Sequence, residues 1–194
     1  MATDQSKVYV GLADQSVTGA IASAPLGTEV PDEILDELPQ SFEDSGYCNN
    51  EGLSLSTEYN TSDITEWNGA TIRKVLETFT GQLSWTIIQL DYEAWCQALG
   101  PDNVTRTPAN EEHGELITIR IGAHLPPRRT WVFRMKDGDM RMMIVVPVGQ
   151  ITSLDEITFN ATDPIALPLT LDCYDDGHGE SIYIYTDDGQ KVAA

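Results

Sequence analysis

The chain has 194 residues, of which 31 are acidic and 11 basic, and this gives a formal net charge of -20 at pH 7. The apolar share of 41% is ordinary for a globular protein, so we expect one folded domain. The charge excludes a nucleic-acid-binding protein that neutralises phosphates and a basic protein of the membrane surface. No apolar run approaches the roughly 20 residues of a membrane-spanning helix. We also expect no secretory signal, because the first residues have no basic and apolar regions in series.

Cysteine and histidine are scarce. Cys48, Cys96 and Cys173 are odd in number and far apart, which predicts reduced structural thiols rather than a disulfide framework. No C-x-x-C or H-x-x-x-H spacing supports a zinc site. Glycine-rich phosphate loops and nucleophile motifs are also missing from the sequence. We therefore predict that the protein is not an enzyme and uses no cofactor.

The negative charge is concentrated in the two ends of the chain. Residues 1–66 contain thirteen acids and one base, residues 67–148 contain nine of each, and residues 149–194 contain nine acids and one base. One interpretation is a solvated acidic surface. The other is self-association, in which acidic segments of one copy contact basic strands of another.

The hydrophobic pattern is mostly that of β-strands. It is clearest in residues 52–59, where Leu53, Leu55, Thr57 and Tyr59 share one face. Residues 70–80 fit either a helix or a strand, and the turn signal at Asn68-Gly69 favours a strand. The remaining predicted strands are residues 17–24, 82–90, 115–122, 130–136, 140–147, 156–162, 165–173 and 181–186.

One helix is predicted, at about residues 91–99. Asp91 is a favourable N-cap, apolar side chains follow at helical spacing from Tyr92, and Gly100-Pro101 ends the pattern. A single helix among many strands predicts a mainly β fold. We expect a β-sandwich or barrel with one flanking helix and long loops in a single domain.

Two stretches are predicted to be long loops. Residues 25–46 are acidic but contain apolar residues such as Leu35, Leu38 and Phe42, which a disordered linker would not need. We therefore expect this loop to dock on another surface. Trp67 follows a predicted hairpin turn and also needs a partner surface. Residues 101–114 are polar and are predicted to form an irregular, mobile loop.

One segment contains the kind of oxygen ligands that calcium prefers. Residues 172–180 combine a glycine turn with four acids, which are Asp172, Asp175, Asp176 and Glu180. Their spacing does not match an EF-hand, and the segment lies between two predicted strands. A solvated hairpin loop is the favoured interpretation, so no metal is predicted, and calcium binding is the weaker alternative.

The segments from about residue 17 to residue 99 follow a characteristic order. A small-residue strand precedes the acidic loop, which ends in Phe42-Glu-Asp-Ser-Gly-Tyr47, and then a strand begins with Glu51-Gly-Leu. Asp63-Ile-Thr-Glu-Trp-Asn-Gly69 forms the next turn, before a long strand and the helix. This order resembles that of siphophage major tail tube proteins, especially those of phages infecting actinobacteria. The resemblance covers roughly half of the chain.

The resemblance implies a subunit that assembles into hexameric rings, which stack into a hollow tube. Phage DNA would pass through a negatively charged lumen without specific binding. Partners would be the tape measure, tail terminator and distal tail proteins, with no membrane. The location would be the virion, after synthesis in the host bacterial cytoplasm. Alternatives are a tail terminator, a head-decoration protein, or a calcium- or carbohydrate-binding β-sandwich. Contacts between rings or subunits are expected at Leu35, Leu38, Phe42, Ile64 and Trp67.

Overall fold

Strands account for most of the regular structure. The structure is a computed structural model, and it describes residues 3, 7–14, 19–31, 33–34 and 37–191. The only helix of more than one turn in that part is α1, and so the mainly β fold with one helix is confirmed. The elements are β1 (Leu12–Ala13), β2 (Ile21–Pro25), β3 (Glu43–Asp44), β4 (Ser54–Thr65), β5 (Thr71–Ile87), α1 (Tyr92–Leu99), β6 (Val104–Thr107), β7 (Leu116–Ile119), β8 (Arg129–Asp137), β9 (Met140–Leu154), β10 (Leu167–Tyr174) and β11 (Tyr183–Asp187).

Nine strands form one antiparallel sheet in the order β3-β2-β8-β9-β10-β5-β4, with β1 also paired to β8 and β11 to β9. β6 and β7 form a separate two-stranded sheet. The central strand β9 is 15 residues long. Its first part pairs with β8 and β11, and its last part pairs with β10. β9 therefore belongs to both halves of the large sheet.

The two halves of the sheet face each other across the main core. Trp85 on β5 lies 5.3 Å, between ring centroids, from both Trp131 and Phe133 on β8. Two strands separate β5 from β8 in the sheet order, so the sheet must curl for these rings to meet. Ala94 and Ala98 of α1 are buried in the same core. The result is the predicted sandwich-like arrangement with one flanking helix.

Helix α1 begins and ends as its sequence predicts. The Asp91 carboxylate accepts a hydrogen bond from the backbone N–H of Ala94 at 2.9 Å, which caps the first turn. Gly100 adopts a positive φ of 85° and donates its N–H to the Cys96 carbonyl. The side chain of Gln97 is buried, and its oxygen accepts a hydrogen bond from the Ser45 hydroxyl. Its nitrogen donates to the backbone carbonyls of Glu43 and Asp44 on β3. Within the described residues no helix is long and apolar enough to span a membrane.

The described residues of the acidic loop, which are 25–31, 33–34 and 37–46, include several that pack on the large sheet. Phe42 is buried in a small cluster with residues of β2, β8 and β9, and Val30, Ile34 and Leu38 pack against that cluster. A polar contact fixes the end of the loop, because the Arg129 guanidinium donates to Ser23 and forms an ion pair with Glu43. The described residues of this loop therefore pack against the sheet of their own chain.

Several predicted boundaries are wrong. The two strands predicted at 70–80 and 82–90 are one strand, β5, and residues 101–114 are not irregular throughout because they contain Pro101–Asn103, a 3-10 turn, and β6. Residues 156–162 do not form a strand. There, the Asn160 side chain accepts hydrogen bonds from the backbone N–H groups of Thr162 and Asp163, so the chain turns instead of extending. Of the strand predicted at 17–24, residues 17 and 18 lie outside the described part.

Candidate assembly surfaces

A long hairpin made of β4 and β5 projects from the sheet. β10 accompanies β5 only between Ile87 and Gly81, whereas β4 continues along β5 to Thr71. At about 3.3 Å per residue, the two-stranded part extends roughly 30 Å beyond the end of β10. Glu66 and Ala70 close the turn by a backbone hydrogen bond of 2.9 Å, and Trp67 at the tip is fully exposed.

The outer face of the sheet carries rows of polar side chains. Residues paired across neighbouring antiparallel strands share a face of the sheet. Two such rows cross four strands, β4, β5, β10 and β9, and all their members are polar. They are Ser54, Ser84, Thr170 and Ser153 in one row, and Ser56, Gln82, Asp172 and Gln150 in the other.

The apolar row between them faces the core. It consists of Leu55, Leu83, Leu171 and Ile151, of which the last three are buried. Only Leu55, on the outermost strand, remains exposed. This alternation of whole rows means that the four strands form one amphipathic patch, with a polar outer face and an apolar inner face.

The inner face of the hairpin continues past the core and stays uncovered. Tyr59 and Phe79 are cross-strand neighbours with ring centroids 5.0 Å apart, and both are exposed to solvent. Leu76 is also exposed, at 53%. Apolar surface of this extent on one side of a strand pair is typical of an interaction site.

Between this inner face and residues 175–182 lies a groove of about 600 Å³. Its apolar lining includes Leu55, Tyr59, Leu76, Phe79, Ile182 and Ile184. Asp175 and Glu180 lie on the wall formed by residues 175–182. Gly81 permits the close packing at the base, since a Cβ atom there would lie 2.8 Å from Cδ1 of Ile182.

Residues 175–182 are an excursion between two strands that pair with the same side of β9. Asp176 organises this segment by accepting a hydrogen bond from the backbone N–H of His178 at 2.7 Å and one from the Tyr183 hydroxyl at 2.6 Å. These bonds hold the pKa of Asp176 below its ordinary value, with the Tyr183 bond the larger cause. The same hydrogen bond raises the pKa of Tyr183 to about 12.

The four acids considered for calcium do not converge. Asp172 lies on the polar outer face, where it accepts a hydrogen bond from Gln82 at 2.8 Å. Asp175 accepts from the backbone N–H of Gly177 instead. Asp176 is held by Tyr183, as described above, and Glu180 lies on the groove wall. In the described part of the chain, no three His, Cys, Asp or Glu side chains are grouped so as to hold a metal ion. The geometry gives the calcium alternative no support.

The three cysteines are free, and Cys96 and Cys173 are buried. Burial raises the pKa of the Cys48 thiol to about 11 and that of the Cys173 thiol to about 12. These two thiols are therefore protonated at neutral pH, as expected for structural rather than reactive cysteines.

The residues predicted to contact a neighbouring subunit fall into two groups. Ile64 and Trp67 are exposed at the end of the hairpin, where a second chain can reach them. Leu38 and Phe42 pack inside their own chain, so little of Phe42 remains for a neighbour. Leu35 lies outside the described residues.

Sequence reasoning missed the part of the groove that Leu76 and Phe79 form on the inner face of the hairpin, opposite Ile182. Its signal was obscured because residues 70–80 also fit the spacing of a helix. A bulge between Asn60 and Thr61 adds a residue to β5 and breaks its simple alternation.

An exposed apolar hairpin and an amphipathic sheet patch are typical of a structural subunit that assembles with other chains. The sequence profile described as "Phage tail tube protein" matches residues 1–194. The chain therefore belongs to the phage tail tube protein family, which is a family of structural proteins and not a class of enzymes.

No curated protein matches the sequence. Among solved structures, the chain is similar to one from the sheath/tube terminator of the PVC extracellular contractile injection system in its extended state, with 11% identity and a TM-score of 0.43. That match covers 85% of this chain and 92% of the other. A second match, from the sheath-tube complex of the same system, has 10% identity, a TM-score of 0.40 and coverages of 86% and 88%. Both likenesses are distant and carry no functional conclusion.

Proposed function

We propose that this protein is the major subunit of a siphophage tail tube and that it assembles into stacked hexameric rings around a conduit for DNA. The observation that carries the proposal is the four-stranded patch, whose polar rows cover one face and whose two lateral edges are open. A sheet with one polar face and no edge partner suits the wall of a water-filled channel.

The strands at the two open edges run in opposite directions, so the edges of two copies can pair in an antiparallel way. β4 pairs with β5 on one side only, and residues 150–154 of β9 pair with β10 on one side only, within the described chain. The strands alternate in direction across the patch, so β4 of one copy would meet β9 of the next in antiparallel orientation. Such a head-to-tail contact joins different surfaces, and it makes a ring when its rotation closes. Closure would remove both open edges.

The polar rows would then face the lumen, because the apolar row faces the core. Asp172 supplies the carboxylate within the rows, and Glu58 lies on the same face of β4, two residues beyond Ser56. Neither row contains a lysine or arginine. Arg73 lies near the hairpin tip, and Arg128 stacks on Tyr174 at the margin of the patch. A wall whose polar rows hold a carboxylate and no base repels phosphates and lets DNA pass without binding. The tape measure, tail terminator and distal tail proteins would be the partners in the virion, after synthesis in the bacterial cytoplasm.

Negative-stain electron microscopy of the purified protein tests assembly. We expect hollow tubes whose formation is promoted by salt, because copies with a charge of -20 repel each other until ions screen them over about 8 Å. A sample that stays monomeric at every protein and salt concentration would contradict the proposal. Isolated rings that never stack would favour the alternative of a tail terminator.

The lumen assignment has a separate test in phage. Glu58→Lys combined with Asp172→Lys should leave tubes assembled but reduce DNA delivery, because the wall would then bind phosphates. The control is Glu111→Lys, which changes the charge of an exposed residue outside the patch. Normal delivery by the double variant would refute a lumen lined by these rows.

A further inference from the structure

Resting on the proposed function, we propose that the hairpin tip of one subunit inserts Trp67 into the groove of an adjacent copy. The groove is the one between the inner face of β4–β5 and residues 175–182. Each subunit would donate one tip and receive another, in addition to any joining of strand edges.

The occupant must come from a second copy, because the tip cannot reach the groove of its own chain. The groove contacts the hairpin at Leu55, Tyr59 and Phe79, near its base. Trp67 lies eight residues beyond Tyr59, which is about 25 Å along an extended strand. The ladder between the arms continues from Tyr59 and Phe79 to Ile64 and Arg73, so the hairpin does not fold back on itself.

The groove and the tip match in size and chemistry. A volume of about 600 Å³ lies within the range of pockets that enclose ligands larger than one indole. Tyr59 and Phe79 offer aromatic faces and edges for stacking, and Ile182 and Ile184 supply aliphatic contacts. A fully exposed tryptophan is also the residue type most often found at the energetic centre of an interface.

The tip carries a cation without an ion pair, and the groove wall carries two acids without one. At the tip, Lys74 is paired with Asp63 at 2.7 Å, while Arg73 has no ion pair within the described chain. Asp175 and Glu180 on the groove wall are acidic and have no cationic partner in that part of the chain either. Glu66 is the remaining charge of the turn. Contact between Arg73 and the two acids would orient the inserted tip.

The decisive experiment alters the hairpin tip and the groove in separate variants. Trp67→Ser removes the tip contact, and Leu76→Glu places a charge in the groove at an exposed position where the fold of the monomer is not at risk. We expect each variant alone to weaken self-association at least about tenfold, as measured by sedimentation. Phe159→Ser, which removes another exposed aromatic residue, should leave association unchanged.

Mixing the two variants adds a readout that a structural defect would not produce. The intact tip of Leu76→Glu can enter the intact groove of Trp67→Ser, so an equimolar mixture should form dimers at concentrations where each variant alone stays monomeric. A charge exchange gives a second readout, since Arg73→Glu should weaken association and Glu180→Arg in the same chain should restore it. If the mixture forms no dimers, or if Glu180→Arg does not restore association, the insertion is refuted.

The outcomes also distinguish this inference from the proposed function. If both single variants form tubes as readily as the unmodified protein, the insertion is refuted and the tail tube assignment stands. If mixed dimers form and the unmodified protein makes chains but never a hollow tube, the insertion stands and the tube is refuted. A protein that is monomeric under all conditions refutes both.

Discussion

A Cβ atom on Gly149 would lie 2.8 Å from Cδ1 of Trp131. Gly149 is the residue of β9 that pairs with Arg129 of β8 on one side and with Cys173 of β10 on the other. The backbone at this position therefore forms part of the core surface against which the Trp131 ring packs. Glycine is needed here for space, not for an unusual φ angle.

Gly149→Ala should destabilise the fold by about 1–3 kcal/mol, the usual range for an overpacked core. Both Trp131 and Leu171 would have to move, since Leu171 also lies within about 3 Å of the added methyl group. Urea denaturation of the monomer measures the loss. Gly114→Ala is the matched control, because nothing lies within 4 Å of its added Cβ, and the two variants should differ clearly.

Removing the carboxylate of Glu43 should leave the buried Arg129 guanidinium without its counter-charge. The two groups lie 2.5 Å apart, with Arg129 almost fully buried and Glu43 about half exposed. We expect Glu43→Ala to destabilise the protein by about 1–2 kcal/mol, less than for a fully buried pair because water reaches the glutamate. Lys74→Met, which breaks an exposed pair, should leave the denaturation midpoint unchanged. Equal effects of the two changes would contradict this account.

Loss of the Asp91 side chain should destabilise α1 at its first turn. Asp91→Ala removes the acceptor for the backbone N–H of Ala94, which is expected to cost about 1 kcal/mol. Asp91→Asn keeps an acceptor oxygen and should retain most of the stability. The measurement is the midpoint of urea denaturation, and an asparagine variant as unstable as the alanine variant would contradict a capping role.

The hydrogen bond between Tyr183 and Asp176 predicts a specific dependence of stability on pH. The pKa of Tyr183 is raised from 10.0 to about 12, so its contribution is complete below about pH 10 and is lost as the pH rises through about 12. The pKa of Asp176 is lowered from 3.8, so its contribution is present above that value and is lost as the pH falls through the lowered pKa.

Tyr183→Phe should therefore raise the pKa of Asp176 towards its ordinary value and flatten the dependence at both ends of the pH range. Carboxyl NMR titration measures the first effect, and denaturation at neutral and alkaline pH measures the second. Tyr185→Phe serves as the control, because its ring stacks on Tyr183 without forming this hydrogen bond. An unchanged Asp176 titration in Tyr183→Phe would show that the bond does not set the pKa.

Local patterns in the sequence were sufficient for many individual elements. Asp91 and Gly100 mark both ends of α1 because capping depends only on residues within one turn. The alternation around Leu55 and Tyr59 identified β4, and the Asn68-Gly69 turn placed the hairpin of β4 and β5, since each depends on nearest neighbours along the chain. For Trp67 the sequence predicted a partner surface, and the structure shows that the side chain is fully exposed.

The sequence by itself therefore determined that the chain is mainly β, where the helix begins and ends, and that the chain is strongly acidic. Only the tertiary structure decided which rows line up across β4, β5, β10 and β9, because the register joins residues as distant as Ser56 and Gln150. It also decided that Phe42 is buried within its own chain, whereas Tyr59 and Phe79 are exposed to solvent. The physical reason is that burial depends on where the curled sheet ends, and no local spacing of residues encodes that position.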